Sequence, residues 1–182
     1  MNYANNSYWD ERYRSRLVPC EWYQPAEIVA PIILPFCYSA AKDKDDVEIL
    51  IAGCGNSVLG AHLYEKYGFE NVTNIDTSSV AIGQQKKKHD TLKNMDYLVM
   101  DSTDMSACPD ESFHVIIDKA MTDAMLCDGI DGGDKIARLL REMHRVLKPN
   151  GVYICISHGI PESRLCFVDK NRWSSTFLKI RK

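Results

Sequence analysis

The chain has 182 residues, of which 45% are hydrophobic and 26% charged, and its formal net charge is −3. That length supports one well-covered core and is too short for two, so we expect residues 1–182 to form a single domain. The negative balance gives no overall basic field to hold a phosphate backbone, which argues against nucleic acid as the main partner. The apolar stretch at residues 28–38 is too short to span a bilayer and is broken by Pro31 and Pro35, so we expect no membrane contact.

Cysteine usage indicates the compartment. The seven cysteines are odd in number and contain no Cys-x-x-Cys pair, so neither a disulfide framework nor a zinc site follows. No other cluster of metal ligands is visible, and we predict no metal site. Reduced thiols that serve mainly in packing are typical of the cytosol, so we expect a cytoplasmic protein.

The predicted elements begin with two helices and continue as alternating strands and helices. Helices are expected over residues 6–15 and 25–38, followed by a polar linker at 40–46. Apolar runs predict strands, and helical periodicity predicts helices between them; the strands are expected at residues 47–52, 71–75, 95–100, 113–119 and 152–157. A helix over 134–147 is expected to end at a turn formed by residues 148–151. Such alternation predicts an α/β fold with a mostly parallel twisted sheet and helices on both faces.

A glycine turn directly follows the first predicted strand. The sequence Gly-Cys-Gly-Asn-Ser at residues 53–57 lies between that strand and a helical pattern at 58–67. Glycines let the backbone turn sharply and approach a ligand closely, so the turn predicts a nucleotide-like ligand. The third glycine of a dinucleotide fingerprint is replaced by Val58, which disfavours NAD.

Acidic residues end the next two predicted strands. Asp76 follows the second strand and can accept hydrogen bonds from both hydroxyls of a ribose. Asp101 and Ser102 follow the third, where an adenine amino group can donate to the acid. Asp76 could instead cap the helix that follows it, although three strand-end signals in order weaken that alternative. Two acids without a phosphate cradle favour S-adenosylmethionine, whose sulfonium and amino-acid tail need acceptors more than an anion site.

Several motifs together resemble a known family. The run Tyr-Trp-Asp-Glu-Arg-Tyr at residues 8–13, Glu-Trp-Tyr at 21–23, the glycine turn, the strand-end acids and the run at 113–119 are similar to class I S-adenosylmethionine-dependent methyltransferases, specifically the protein-lysine branch that modifies translation elongation factor one-alpha. The resemblance spans about residues 8–157. It implies a Rossmann-like core at residues 47–182, with residues 1–40 forming a helical cap over the cofactor site. It also implies cofactor contacts, with S-adenosylhomocysteine as product, from Trp9, Tyr13, Trp22, Gly53, Gly55, Asp76, Thr77, Asp101, Ser102 and Lys119.

Two departures from the family pattern are visible. The family tends to carry Gly-Thr-Leu-Asp-Ala after the lysine, whereas this chain reads Ala-Met-Thr-Asp-Ala at residues 120–124, which opens a different backbone path there. The family sheet also ends in an antiparallel strand, and the chain stops just after a strand-like segment at 173–180. We therefore expect that C-terminal antiparallel strand to be missing, leaving an uncovered edge.

The acceptor chemistry gives candidate catalytic residues. A free lysine, with a reference pKa of about 10.4, is almost wholly protonated at neutral pH, and only the neutral amine attacks. We hypothesise that Asp123 orients the incoming ammonium and that Tyr8 or Trp22 offers an aromatic face for the cation. A helix N-cap, or a partner for Lys119, is an equally good interpretation of Asp123.

Three functions stay open from the sequence. The resemblance favours a protein lysine methyltransferase, with elongation factor one-alpha as the expected protein substrate. A small-molecule methyltransferase on the same fold is the first alternative, and a closed, apolar acceptor site would favour it. A catalytically weak S-adenosylmethionine-binding protein is the second, motivated by the missing strand. Oligomeric state is not indicated by the sequence.

Overall fold

The centre of the fold is a five-stranded parallel sheet, seen in a computed structural model that describes residues 3, 5–15, 18–169 and 173–175, apart from the side chain of residue 130. The strands are β1 (Ile49–Ala52), β2 (Val72–Asp76), β3 (Met95–Val99), β4 (Phe113–Lys119) and β5 (Leu147–Ile156). Their order is β3-β2-β1-β4-β5, and each pairing among the described residues is parallel. The strand order therefore reverses between β1 and β4, the place where open α/β sheets bind ligands.

Seven α-helices connect and cover the strands in the described part of the chain. They are α1 (Asn6–Ser15), α2 (Ala26–Ser39), α3 (Leu59–Tyr67), α4 (Ser79–Lys88), α5 (Met121–Met125), α6 (Gly132–Val146) and α7 (Glu162–Leu165). Short 3₁₀ helices occupy Lys44–Asp46 and Leu126–Asp131. Gly68 ends α3 in the left-handed conformation that glycine C-caps commonly adopt. None of the described helices combines the length and apolar composition that crossing a bilayer requires.

Successive side chains of β1 point to opposite faces of the sheet and pack in two separate hydrophobic clusters. Ile49 and Ile51 belong to a cluster with α2 and α3, whereas Leu50 and Ala52 belong to a cluster with α6. All four strand residues are buried, which explains why β1 is continuously apolar. Helices thus cover both faces, and the predicted Rossmann-like class I fold is confirmed.

The second helix differs from its expected place in a cap. Val29, Ala30, Ile33 and Cys37 of α2 are fully buried in the core cluster that covers one face of the sheet. Burying each of the larger aliphatic side chains contributes about 1.5–3 kcal/mol to folding. Helix α2 is therefore a layer of the core. The boundary at residue 40 between a cap and the α/β core stays a prediction. Helix α2 precedes that boundary but packs as part of the core.

The predicted turn at residues 148–151 lies inside β5. Phe113 pairs with Leu147 and Val115 pairs with Val152, so β5 accommodates extra residues that have no partner on β4. Asn150, with a φ of 64°, adopts the left-handed conformation that asparagine tolerates. Residues 148–151, which predicted a turn, therefore form an irregularity within β5.

The expected strand at 173–180 lies mostly outside the described residues. Of the three described positions, Trp173 packs against the rings of His144 and Tyr153, with centroid distances of 5.4 and 6.0 Å.

Candidate cofactor and acceptor site

A cavity of about 560 Å³ lies at the carboxyl ends of the strands, where the strand order reverses. That volume is within the usual range for small-molecule sites. The ten residues expected to contact a cofactor all line this cavity, and so does Asp123. The wall also includes residues that sequence reasoning did not assign: Tyr3, Tyr23, Met121, Lys135, Arg138 and His158.

The glycine turn needs its glycines for space as well as for conformation. Gly53 and Gly55 have φ values of 64° and 51°, which side-chain-bearing residues rarely adopt. A Cβ on Gly55 would lie 2.4 Å from the Tyr13 hydroxyl, and one on Gly53 would lie 2.7 Å from the Cβ of Met121. The turn therefore presents bare backbone to the cavity.

Asp76 is held by backbone donors on both oxygens. The amide of Gly55 donates to Oδ2 and the amide of Ser78 donates to Oδ1, each at 2.8 Å. Burial raises the pKa of Asp76, although these two hydrogen bonds oppose the shift. Helix α4 is capped by Ser78, whose hydroxyl accepts from the amide of Ala81. Asp76 is consequently not the N-cap of α4 and faces the cavity.

The residues after β3 and β2 line the cavity with different exposure. Asp101 is exposed and accepts the Thr103 amide at 2.8 Å, whereas Ser102 is buried and donates to the sulfur of Met121 at 3.2 Å. Thr77 is exposed, and its carbonyl accepts from the side chain of Asn6 at 3.2 Å. These contacts place the beginning of α1 next to the end of β2.

Aromatic residues from the N-terminal segment form the facing wall. Trp9 and Tyr13 stack with a centroid distance of 5.8 Å, and Trp9 meets Trp22 edge-on at 6.1 Å. The guanidinium of Arg12 lies 5.4 Å from the centre of the Trp22 ring. The wall is thus built by α1 together with residues 18–25.

Tyr8 does not line the cavity, unlike Trp9 beside it on α1. Its hydroxyl accepts a hydrogen bond from Arg12 at 3.3 Å, and its ring packs against Trp9 at 5.2 Å. Tyr8 therefore supports the aromatic wall from behind. The end of the cavity that Asp123 and His158 line has the aromatic ring of Tyr23 beside them.

Lys119 lines the cavity, but its ammonium is engaged by the N-terminal segment. It donates to Glu21 at 2.5 Å and to the carbonyl of Trp22 at 3.2 Å. The same Glu21 carboxylate accepts from the hydroxyl of Ser57 at 2.9 Å and from the amide of Val58 at 2.7 Å. Glu21 thus ties residues 18–25 to the end of β4 and to the start of α3. Sequence reasoning noted Glu21 within the motif at 21–23 but gave it no role.

Asp123 lies at the end of the cavity next to Tyr23 and His158. One oxygen accepts from Ser157 at 2.6 Å and from Arg164 at 2.5 Å, and the other accepts from Tyr23 at 2.5 Å and from the His158 ring at 3.1 Å. Burial by itself raises the pKa of Asp123, but hydrogen bonds from Ser157, Tyr23 and Arg164 outweigh it and lower the pKa to about 2. Both oxygens are occupied, so an incoming ammonium would have to displace an existing donor.

A second buried acid shapes the loop after β4. Asp118 is fully buried and accepts from the amides of Met121 and Thr122 and from the hydroxyl of Tyr153. Burial raises the pKa of Asp118 against these hydrogen bonds. The loop between Asp118 and α5 contains Ala120 with a φ of 77°. Ala120 thus adopts the left-handed conformation that glycine favours, and the different backbone path expected here stays a prediction.

The geometry of the cavity suits the predicted cofactor. Bare glycine backbone lies beside a carboxylate at the end of β2, a second acid follows β3, and aromatic rings face them across the cavity. A ribose needs the first acid, an amino group needs acceptors, and a sulfonium is attracted by aromatic faces.

Fold and site together define a class I methyltransferase domain with S-adenosylmethionine as its cofactor, as the sequence predicted. Residues 50–155 match the family model described as a methyltransferase domain, and the chain belongs to that family.

Two curated relatives are similar to this chain over most of its length. The chain is 34% identical over 158 residues to the eEF1A lysine and N-terminal methyltransferase of Bos taurus, a match that covers 85% of this chain and 22% of that protein. It is 28% identical over 183 residues to EEF1A lysine methyltransferase 4 of Mus musculus, covering 95% of this chain and 68% of that protein. The chain thus spans about a fifth of the first relative's length.

A solved structure shows the same fold. The TehB-like SAM-dependent methyltransferase from Corynebacterium glutamicum matches with a TM-score of 0.58 and 18% identity, over 89% of this chain and 79% of that one.

Proposed function

We propose that this domain transfers a methyl group from S-adenosylmethionine to a lysine amine of a protein, with translation elongation factor one-alpha as the substrate. The names of the two curated relatives support the acceptor. The observation that carries the proposal is the shape of the site. One cavity joins the cofactor wall to the polar end formed by Tyr23, Asp123 and His158, where the His158 side chain is 71% exposed. A lysine side chain is long enough to enter such an opening from a protein surface.

The cofactor wall distributes its binding roles over three strand ends. In this proposal Asp76 accepts from the ribose hydroxyls, and Gly53 and Gly55 allow close backbone approach. Asp101 and Ser102 hold the adenine end. Thr77 lies beside Asp76, and the aromatic residues Trp9, Tyr13 and Trp22 close the opposite side. Lys119 contributes through its ion pair with Glu21, which fixes residues 18–25 against the cavity.

The transfer needs alignment and exclusion of water more than covalent machinery. When bound, the cofactor supplies a methyl group on a sulfonium, which is already activated toward displacement. The residues of this chain must then hold the amine in line and accept its proton. In this proposal the wall of packed rings formed by Trp9, Tyr13 and Trp22 excludes water from the cofactor side. Asp123 fits a role in positioning its neighbours, because its own oxygens are already occupied.

A cytoplasmic location and a protein partner belong to the same proposal. The seven cysteines are all unpaired in the structure, which agrees with a reducing compartment. An elongation factor would be met in that compartment.

The test is methyl labelling in a cell lysate that lacks the modification. The wild-type chain, with methyl-labelled cofactor, should label a band at the size of elongation factor one-alpha. Asp76→Ala should abolish the label, whereas Asp96→Ala, an exposed acid on β3 outside the cavity, should retain it. Label recovered only in small molecules would replace the proposal with a small-molecule methyltransferase. Cofactor binding without any label would indicate a binding protein.

A further inference from the structure

His158 and Asp123 form a hydrogen-bonded pair inside the cavity. The ring Nδ1 of His158 lies 3.1 Å from Oδ2 of Asp123, and the backbone amide of His158 donates to the same oxygen at 3.2 Å. Two bonds to one carboxylate oxygen fix both the backbone and the ring. An Nδ1–H that donates to the carboxylate leaves the lone pair on Nε2, which no described residue engages.

The plane of the His158 ring is set by Tyr23. The two rings stack with a centroid distance of 5.5 Å and an interplanar angle of 18°. Tyr23 has a φ of 65°, and its hydroxyl donates to Asp123 at 2.5 Å. Burial, helped by the bond to Asp123, raises the pKa of Tyr23, so that its hydroxyl keeps its proton and remains a donor.

Tyr23 and Asp123 contact this histidine, and Arg164 joins the cluster through Asp123. Tyr23 comes from residues 18–25, Asp123 from α5 and Arg164 from α7. Arg164 bonds Asp123 at 2.5 Å and also contacts Ser157, so the negative charge of the carboxylate is balanced within the cluster. Asp123 is therefore poorly suited to take up a proton itself. His158, 71% exposed and lining the cavity, is the member that an acceptor can reach.

We propose that His158 is the base that removes the proton from the substrate ammonium, with Asp123 and Tyr23 as positioning residues. The inference rests on the proposed function, because it requires an amine acceptor. A proton passes from the substrate nitrogen to Nε2 of His158, and the N–H electron pair stays on nitrogen. That pair forms the new bond to the methyl carbon, and the carbon–sulfur pair leaves with sulfur. The imidazolium returns its proton to solvent through the exposed face of the ring.

A histidine suits this proton transfer. Histidine is the side chain that most readily exchanges a proton between about pH 5 and 8. General base catalysis contributes typically about 10²–10⁴-fold to a rate. Removing the imidazole should therefore have a large effect on transfer and little effect on cofactor binding.

The experiment measures single-turnover methyl transfer to purified elongation factor one-alpha from pH 6 to 9. It compares wild type, His158→Gln and His158→Ala, with His144→Gln as control. His144 is an exposed histidine on α6 outside the cavity lining. Cofactor affinity is measured on each variant by titration calorimetry.

We expect His158→Gln to transfer about 100-fold more slowly or worse, with cofactor affinity within about two-fold of wild type. The rate of His158→Gln should climb with pH up to 9, because without the base transfer requires a substrate amine that is already neutral. Added imidazole should restore part of the rate of His158→Ala and leave the control unchanged.

Two results would overturn the inference alone: a His158→Gln rate within about three-fold of wild type at every pH, or a parallel loss of cofactor affinity that marks a structural role. A wild-type chain that binds cofactor and methylates no protein would overturn the proposed function and this inference together.

Discussion

Glu21 and Lys119 form a largely buried ion pair, with 2.5 Å between Oε2 and Nζ and side-chain exposures of 16% and 5%. The pair joins the N-terminal segment to the carboxyl end of β4, almost a hundred residues further along the chain. The acceptor bonds that Glu21 makes with Ser57 and Val58 extend this link to the glycine turn. One carboxylate therefore holds together three walls of the cavity.

Removing one partner of this pair should cost more than removing both. Glu21→Gln leaves the Lys119 charge buried and should lower the free energy of unfolding by about 3 kcal/mol. Glu21→Gln with Lys119→Met should recover much of that loss, because no uncompensated charge remains. Urea denaturation of the two single variants and the double variant measures the coupling. Strictly additive losses would show that the pair is not coupled.

Gly55→Ala should disrupt the cavity through a steric contact with one atom. The new Cβ would meet the Tyr13 hydroxyl at 2.4 Å, at a positive φ, so cofactor affinity should fall by about 10-fold or more. Tyr13→Phe removes that hydroxyl and should restore part of the affinity in the double variant. Gly83→Ala on α4, where a Cβ meets nothing within 4 Å, should leave affinity unchanged. Calorimetry of the four proteins decides, and no rescue by Tyr13→Phe would contradict the steric account.

Ala120→Gly should stabilise the domain. Ala120 has a φ of 77°, and the left-handed conformation costs a side-chain-bearing residue about 1 kcal/mol that glycine avoids. We expect the melting temperature to rise by about 2–4 °C, as read by circular dichroism. The matched change Ala124→Gly, within α5, should lower it, because glycine weakens a helix interior. A lower melting temperature for Ala120→Gly would show that the Ala120 conformation is not strained.

Stability should fall in acid through Asp123. Its pKa is lowered from 3.8 to about 2, so its contribution is present above the unfolded value and is lost as pH falls through the folded one. The contribution amounts to about 2 kcal/mol at pH 6, with about half of it gone by pH 3. Urea titrations from pH 3 to 6 should show a smaller pH dependence for Asp123→Asn than for wild type. Parallel stability profiles for the two proteins would rule out this assignment.

Sequence reasoning predicted which strand-end residues line the cavity because their signals are local. A strand is recognised by its own apolar run, and the parallel arrangement brings all strand ends to one edge, so Asp76 and Asp101 could be placed together in advance. Trp9 and Tyr13 were expected from the family resemblance, and helical spacing explains why they share one face of α1 with Asn6. The same spacing puts Tyr8 off that face, which the motif at residues 8–13 alone did not indicate.

The acceptor end could not be predicted to the same depth. Its geometry depends on side chains from residues 18–25, α5 and α7 that meet only in the folded chain, such as Tyr23 with Asp123 and Arg164 with Asp123. Asp123 was recognised from the resemblance to the family. Its partners carried no periodic or strand-end signal, apart from the position of Ser157 and His158 directly after β5.

The most direct test of the central claim is the position of the transferred methyl group. Purified, unmethylated elongation factor one-alpha is incubated with the domain and methyl-labelled S-adenosylmethionine, and its peptides are sequenced by mass spectrometry. The account predicts the label on the side-chain nitrogen of a lysine, and no label when the domain carries Asp76→Ala. Label confined to the N-terminal amine or to non-lysine residues, or no label with a domain that binds the cofactor, would contradict it.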